Sequence, residues 1–278
     1  MSDTRAPLFD LPSVSRAKAR AAALAGDRFL DLAATDGLAD RLSAVTRRFE
    51  RALWIGEKVP DAIRPFASDW ASADFDAAEV LHADGPFDLA VSLFSLQWIN
   101  DLPGALIQIR RCLRPDGLFV AALMGAETLR ELRDAFAQAE IATRGGVSPR
   151  VAPFADIRDL GGLLQRAGFA LPVADVERLS VRYRDFGGLV RDLRSHALTN
   201  VMTERSKRPL RRDTLAALLA HYSGHHAEPD GRLRARFDTV YLTGWSPHES
   251  QQQPLKPGSA KTRLADALGT TEQPLKGP

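Results

Sequence analysis

The sequence is poor in cysteine and in long apolar runs, and both shortages restrict what the protein can be. Cys112 is the only cysteine among 278 residues, which excludes an intramolecular disulfide and any zinc or iron–sulfur site built from several thiolates. No stretch approaches the roughly 18 apolar residues that a membrane-spanning helix needs. The N-terminus lacks the apolar segment of a secretory signal. We therefore expect a cytoplasmic protein; the Arg- and Ala-rich stretch through Gly26 makes the mitochondrial matrix the minority interpretation.

An excess of charge of one sign is also missing. The 37 Lys and Arg residues nearly balance the 35 Asp and Glu residues, and the formal net charge is +2. Bulk electrostatics therefore does not indicate nucleic-acid binding, and we predict none. With 45% hydrophobic and 26% charged residues, the composition is typical of a globular protein. The length allows one large domain or two modest ones.

The apolar pattern predicts an α/β fold. We expect helices over 13–35, 36–49, 102–113, 128–139, 157–167, 186–197 and 214–222. We expect strands over 51–56, 87–94, 118–124, 171–183 and 237–245. Continuous apolar runs are typical of strands that are buried on both faces, so their alternation with helices predicts a mainly parallel sheet.

Some helix ends carry their own signals. Thr128 and Glu131 have the spacing of a capping box, and Asp213 can cap the helix that follows it. The first helix has Arg and Lys around an Ala-rich stripe. We expect it to pack on the domain, and its basic side leaves peripheral association with a membrane as an alternative.

The middle of the chain resembles a known enzyme superfamily. The strand over 87–94, the loop over 95–100, the next helix and the turn over 114–117 are similar to class I S-adenosylmethionine-dependent methyltransferases. In open parallel sheets, ligands bind outside the carboxyl ends of the strands. The resemblance implies a Rossmann-like methyltransferase sheet, S-adenosylmethionine as cofactor, and a loop beside that cofactor. Within this loop Gln97 and Trp98 are the candidate catalytic residues.

Further segments resemble one branch of that superfamily. They are 8–10, 125–133, 145–154, 159–169, 244–245, 248–251 and 257–260. This branch contains the mitochondrial complex I assembly factor with a methyltransferase fold. The resemblance implies a protein partner, an iron–sulfur subunit of respiratory complex I, and hydroxylation of an arginine in that subunit.

The turn after the first strand departs from the methyltransferase pattern. Such enzymes need a glycine-rich turn because the backbone must approach the methionine part of the cofactor closely. Here the turn over 56–60 has one glycine, and Trp54 stands where the family has an acid. The predicted cofactor-binding residues are Gly56, Asp74, Ser95, Leu96 and Gln97.

Spacing predicts a sheet that is shortened in its first half. Only 31 residues separate Gly56 from Asp88, whereas a βαβ crossover with its strand needs about 30 residues. Two further strand and helix units therefore cannot fit at normal length, and at least one of them is missing or reduced to a connector. Within this stretch Asp69 is the nearest match to the acid that holds the ribose hydroxyls, and Asp74 to the acid that contacts adenine. Both can also be solvated loop residues.

We expect three parts: a helical lead over 1–49, a methyltransferase-like domain over 50–245 with a helical insertion near 186–222, and a polar tail over 246–278. Three functions are compatible with the sequence. The first is an enzyme that modifies a protein arginine. The second is a non-catalytic assembly or chaperone protein that kept the fold and lost the cofactor. The third is a malonyl-thioester methyltransferase of biotin synthesis.

Three other groups of polar residues could form metal or binding sites. His221, His225 and His226, with Glu228 and Asp230, could offer imidazoles and a carboxylate to iron, but the segment is typical of a surface loop and we predict no metal site. His196 and Asn200 either face the cleft or are structural. The basic run over 205–212 is typical of a solvated loop and less so of a phosphate or acidic-partner patch.

Overall fold

A computed structural model of the protein describes residues 6–24, 26–252, 266 and 269–270. Residues up to Pro247 form one compact unit, and a second unit begins at His248. The resembling segment over 257–260 and most of the predicted tail lie outside the described residues. The division into a lead, a domain and a tail stays a prediction.

The first unit is a six-stranded sheet with seven α-helices. Its strands are β1 Phe49–Ile55, β2 Ala67–Ala73, β3 Phe87–Leu93, β4 Leu113–Met124, β5 Ala170–Tyr183 and β6 Leu233–Trp245. Its helices are α1 Leu11–Ala23, α2 Phe29–Ser43, α3 Leu102–Cys112, α4 Arg130–Arg144, α5 Ile157–Arg166, α6 Phe186–Ser195 and α7 Arg212–His225. The predicted helical insertion corresponds to α6 and α7, which lie between β5 and β6 in the chain.

The sheet has the order β2-β1-β3-β4-β6-β5. The first four strands are parallel, and β6 runs antiparallel to both β4 and β5. The predicted Rossmann-like α/β fold is therefore confirmed. The strand order reverses at β1, which pairs with β2 on one side and β3 on the other. The loops after β1 and β3 thus diverge and leave a crevice between them.

The predicted shortening lies at the outer edge beside β2. Among the described residues no strand lies beyond β2. The connection from β1 to β2 contains a single 3-10 turn, Arg64–Phe66, and no α-helix. No helix N-terminus is therefore available directly after β1 to bind an anionic group of a ligand.

The two sides of the sheet are covered by different helices because successive strand residues point to opposite faces. Leu53 and Ile55 of β1 pack in a core with α3 and α5. Ala52 and Trp54 pack in a second core against α2. A third core joins α1, α4, α6 and α7. Of the helices in the described ranges, none is long and apolar enough to cross a membrane.

The N-terminal helix boundary was predicted wrongly. Instead of one helix over 13–35 and another over 36–49, α1 ends at Ala23 and α2 begins at Phe29. Leu24 is extended and caps α1 through its backbone N–H. The apolar pattern continues across the break, so periodicity alone could not locate it. The second predicted helix also ran too far, since α2 ends at Ser43 and Phe49 already begins β1.

The capping box at α4 is also wrong. The Thr128 hydroxyl donates a hydrogen bond to the Asp238 carbonyl at 3.2 Å and accepts one from the Asp238 N–H at 3.1 Å. Glu131 accepts from the Arg236 N–H at 3.1 Å. Both side chains therefore fasten α4 to β6. Similarly, α7 begins at Arg212, so Asp213 lies inside its first turn.

Candidate functional site

A cavity of about 640 Å³ lies at the crevice where the strand order reverses. Ligand sites of small molecules typically occupy about 300–1,000 Å³. Three loops after strands supply part of the wall, and their lining residues include Gly56, Asp74, Phe94, Ser95, Gln97 and Trp98. Helix α1 supplies a second part, through Leu11, Val14, Ser15, Lys18 and Ala22. The turn after α6 supplies a third, through His196, Ala197 and Leu198.

Gly56 cannot be replaced without strain. Its φ is +144°, a conformation that residues with a Cβ rarely adopt. A Cβ at this position would also lie 2.9 Å from Nε1 of Trp54. Trp54 is buried and lines the cavity without filling it, and Phe66 is not among the lining residues. The glycine predicted from the sequence therefore has a definite role in shaping the loop at the cavity.

Asp74 lies at the carboxyl end of β2. Its carboxylate accepts a hydrogen bond from the Phe75 N–H at 2.9 Å and lies 3.5 Å from Nζ of Lys18 on α1. Both side chains are about two-fifths exposed, so the ion pair is at a solvent-accessible part of the wall. Asp69 is exposed in the middle of β2 and is not a lining residue. Asp69 was therefore the wrong choice for an acid at the end of the second strand, and Asp74 has that place.

The loop after β3 divides its residues between the cavity and the core. The Ser95 hydroxyl donates to the Ile55 carbonyl at 3.3 Å and to the Leu93 carbonyl at 3.4 Å, which ties the ends of β1 and β3 together. Leu96 is fully buried in the core and is not a lining residue.

The two candidate catalytic residues of this loop both line the cavity. Oε1 of Gln97 accepts from the Met124 N–H at 3.2 Å. Trp98 makes edge-to-face contacts with Phe9 and Phe154 at 5.3 and 5.6 Å between ring centroids. Gln97 cannot act as a general base near neutral pH, and Trp98 is a rigid apolar wall.

A histidine and an aspartate form a pair at the cavity that sequence reasoning did not find. Nδ1 of His196 lies 2.9 Å from Oδ2 of Asp31. The His196 side chain is 3% exposed, and its Nε2 is buried without a hydrogen-bond partner. Both residues line the cavity. A buried polar atom normally has a partner, so the free Nε2 is the strongest sign of a ligand position in the cavity.

The charge state of the pair follows from its contacts. Arg28 donates two hydrogen bonds to Asp31, at 2.9 and 3.0 Å. Burial opposes ionisation of Asp31, but the hydrogen bonds from His196 and Arg28 outweigh it and lower the pKa of its carboxyl to about 2. Because the carboxylate is ionised, Nδ1 of His196 carries the proton in the neutral ring, and Nε2 is a hydrogen-bond acceptor.

Spacing could not have predicted this pair. Asp31 and His196 are 165 positions apart, on α2 and just after α6. An Asp on a predicted helix and a lone His at a helix end are each ordinary surface features. Asn200, which was also predicted either to face the cleft or to be structural, does not line the cavity. Its side chain donates a hydrogen bond to the Pro149 carbonyl at 2.8 Å.

Helix α1 is held over the cavity by polar contacts at its N-terminus. Asp10 caps the helix and also accepts from Nη2 of Arg205 at 2.9 Å. The Phe9 N–H donates to Oδ1 of Asn100 at 2.8 Å. Arg205 was predicted to be solvated with the rest of the run over 205–212; instead it is four-fifths buried and positions α1.

The histidines near the end of α7 do not form a surface loop. Nε2 of His221 and Nε2 of His226 lie 3.0 and 2.7 Å from Oδ2 of Asp134 on α4. These two contacts lower the pKa of Asp134. Glu228 and Asp230, the acids predicted to accompany the histidines, are not part of this cluster. None of the three clustered residues lines the cavity.

The chain matches the family described as "Methyltransferase domain" over residues 9–172. It is 42% identical over 183 residues to the protein named "Arginine-hydroxylase NDUFAF5, mitochondrial" of Danio rerio, a match that covers 66% of this chain and 57% of that protein. It is 35% identical over 195 residues to the malonyl acyl-carrier-protein O-methyltransferase of Laribacter hongkongensis, covering 70% and 63%. The chain spans about half the length of the arginine-hydroxylases that it matches.

The fold comparison agrees with the sequence comparison. The YcgJ protein from Bacillus subtilis has a TM-score of 0.50 at 12% identity, over 77% of this chain and 99% of that chain. At this identity the likeness concerns the fold alone. The match over 9–172 contains all the strand-end loops of the cavity. The chain therefore belongs to the methyltransferase domain family.

Proposed function

We propose that the cavity is the active site of an enzyme that binds S-adenosylmethionine and modifies an arginine side chain of a protein. The observation that carries this proposal is the buried Nε2 of His196, which has no hydrogen-bond partner and belongs to a ring held by Asp31 at the cavity where the strand order reverses. The proposed substrate is the arginine of an iron–sulfur subunit of complex I, which the resembled branch implies.

The strand-end loops are the proposed cofactor side. Asp74 lies where a carboxylate can accept hydrogen bonds from ribose hydroxyls, and Gly56 lines the cavity with backbone alone. Ser95 and Gln97 border the same space. Since no α-helix lies between β1 and β2, the methionine carboxylate would lack the helix N-terminus that stabilises an anion there. We therefore expect weaker cofactor binding than in methyltransferases that have this helix.

The side lined by α2, the turn after α6 and Trp98 is the proposed substrate side. A guanidinium is a planar cation with N–H donors and no acceptor. In the neutral imidazole, Nε2 of His196 is an acceptor, and the ionised Asp31 behind it supplies negative charge. A carboxylate substrate would instead place a second anion near Asp31. The pair therefore favours an arginine over the malonyl group on which the Laribacter hongkongensis relative acts by name.

Hydroxylation is the proposed reaction, since the arginine-hydroxylase relatives carry it in their name. Inserting one oxygen atom into a C–H bond consumes dioxygen, two electrons and two protons and releases water. Dioxygen and a two-electron donor must therefore come from outside the chain. Residues of this chain would bind the guanidinium at His196, orient the side chain against Trp98, and keep bulk water away.

The second candidate function is a non-catalytic assembly protein. It is favoured by the single glycine after β1 and by the missing helix there.

The location of the protein stays a prediction. The relatives named as mitochondrial give weight to the mitochondrial matrix, which is the minority interpretation of the sequence.

Isothermal titration with S-adenosylmethionine and S-adenosylhomocysteine tests the cofactor claim. We expect saturable binding that weakens at least about tenfold, or about 1.4 kcal/mol, in Asp74→Asn. Asp69→Asn is the matched control, because Asp69 is an exposed aspartate of the same strand outside the cavity. Binding only at millimolar cofactor, or equal loss in both variants, would contradict the proposal and favour the non-catalytic function.

A further inference from the structure

Asp134, His221 and His226 bring three metal-ligand atoms together between α4 and α7. One carboxylate oxygen and two imidazole nitrogens all lie within 4.8 Å of one another. The side chains of Asp134, His221 and His226 are 44%, 20% and 17% exposed. The group is therefore partly covered by protein and still reachable from solvent.

The spacing of these atoms matches a coordination sphere. First-row divalent metals bind imidazole nitrogen and carboxylate oxygen at about 2.0–2.2 Å. Two such ligands at a right angle are then roughly 2.9 Å apart. The observed separations of Oδ2 of Asp134 from the two Nε2 atoms are 3.0 and 2.7 Å, so a cation needs little rearrangement to bind all three atoms.

The imidazole rings are already held in place. The His221 ring stacks on the His225 ring with centroids 4.1 Å apart and an angle of 15°. Nδ1 of His225 lies 3.1 Å from the His221 carbonyl oxygen. The His226 ring makes an edge contact with the buried Tyr222 at 5.6 Å. A ligand set with fixed rings loses less conformational freedom on binding a metal.

We propose that Asp134, His221 and His226 bind one first-row divalent transition-metal ion, with the remaining positions taken by water. Two imidazoles and one carboxylate suit Zn²⁺, Co²⁺ or Fe²⁺ and leave open positions. The site is separate from the cavity, whose lining contains none of the three residues. It therefore stands independently of the proposed arginine modification.

Metal binding would also stabilise the contact of α4 with α7. Asp134 is on α4, while His221 is on α7 and His226 ends it. A cation that binds the folded state and not the unfolded chain raises stability in proportion to the logarithm of its concentration over Kd. A bound ion would thus link α7, which is part of the helical insertion, to α4, the helix that follows β4.

Titration of the full chain, freed of metal by a chelator, tests the proposal. Co²⁺ followed by visible absorption gives the stoichiometry and the coordination geometry, and Zn²⁺ and anaerobic Fe²⁺ followed by calorimetry compare the metals. We expect one ion per chain and a higher Tm with metal. Asp134→Asn and His226→Gln should each weaken binding at least about tenfold, or about 1.4 kcal/mol.

His82→Gln is the matched control, because His82 is an exposed histidine that contacts a carboxylate, that of Asp76, and lies outside the ligand set. It should keep binding within about threefold, or about 0.6 kcal/mol. Circular dichroism of each variant shows whether α4 and α7 are intact. No binding by the wild-type chain below millimolar metal would overturn the proposal. Binding that His82→Gln weakens as much as His226→Gln does would overturn it as well, since it would mark adventitious binding to surface histidines.

Discussion

The variant Asp31→Asn tests the ionised carboxylate at the cavity by its effect on the free energy of unfolding, without an activity assay. The folded chain lowers the pKa of this carboxyl from 3.8 to about 2. Such a lowering corresponds to about 2 kcal/mol of folding stability at neutral pH. The Asp31 side chain is three-quarters buried, so solvent screens only a small part of this electrostatic contribution to stability. We expect Asp31→Asn to reduce the free energy of unfolding by about 2 kcal/mol at pH 7.

The pH dependence has a definite sign. Because the folded-state pKa is the lower one, the stabilisation is present in full above pH 4 and is lost as the pH falls from about 4 to 2. The difference between wild type and Asp31→Asn should therefore shrink over this range. Urea unfolding of both proteins, at intervals from pH 7 down to pH 2, measures that difference. The titration of the other carboxyl groups affects both proteins alike and so cancels from the difference in free energy of unfolding.

The matched control is Asp69→Asn, at an exposed position of β2. It should change stability by less than about 0.5 kcal/mol at any pH in the series. A difference between wild type and Asp31→Asn that stays constant from pH 7 to 2 would refute the reasoning, since the loss would then come from packing rather than from the ionised carboxylate.

Three further variants test the turn after β1, a buried ion pair of α4 and the contact that anchors α1. Gly56→Ala should lower Tm and weaken S-adenosylmethionine binding, because it puts a Cβ 2.9 Å from Trp54 at a strained φ of +144°; the backbone strain costs about 1–3 kcal/mol, and unchanged Tm and affinity would contradict it. Glu140→Gln should lower the free energy of unfolding, measured with urea, by about 3 kcal/mol, because it removes the fully buried carboxylate that lies 2.6 Å from Arg150 and so leaves that guanidinium without a counter-charge. A decrease of less than about 1 kcal/mol would contradict a stabilising role of this buried ion pair. Arg205→Ala should speed hydrogen exchange in α1, because it removes the 2.9 Å contact to the capping Asp10; exchange equal to that of wild type would show that α1 does not depend on this contact.

Much of the fold was predictable because its signals are local. The apolar runs over 87–94 and 118–124 correspond to β3 and to most of β4, and the spacing between Gly56 and Asp88 foretold a sheet with a missing unit. Asp101 and Gly168 mark the start of α3 and the end of α5 with residue types that are typical of such ends: Asp101 accepts a hydrogen bond from the Gly104 N–H at 2.9 Å, and Gly168 has a φ of +84°. Local propensity and turn chemistry decide such features.

Tertiary contacts decided the features that were missed. Thr128 bonds to β6 instead of capping α4, because β6 returns beside that helix from more than a hundred residues away. Asp31 and His196 meet for the same reason. Asp74 was found as a candidate, yet its place at the carboxyl end of β2 became evident only once the bounds of β2 were known. Long-range pairing of single polar residues leaves no periodic pattern in a sequence.

The central claim is that the cavity with His196 modifies an arginine of a protein. Cells that lack this chain should be complemented with wild type, with His196→Phe and with the control His225→Gln, and the mass of the complex I iron–sulfur subunit then measured peptide by peptide. We expect one arginine peptide to be heavier by one oxygen atom with wild type and His225→Gln, and unmodified with His196→Phe. An arginine peptide of the same unmodified mass in all three, with complex I assembled, would contradict the claim.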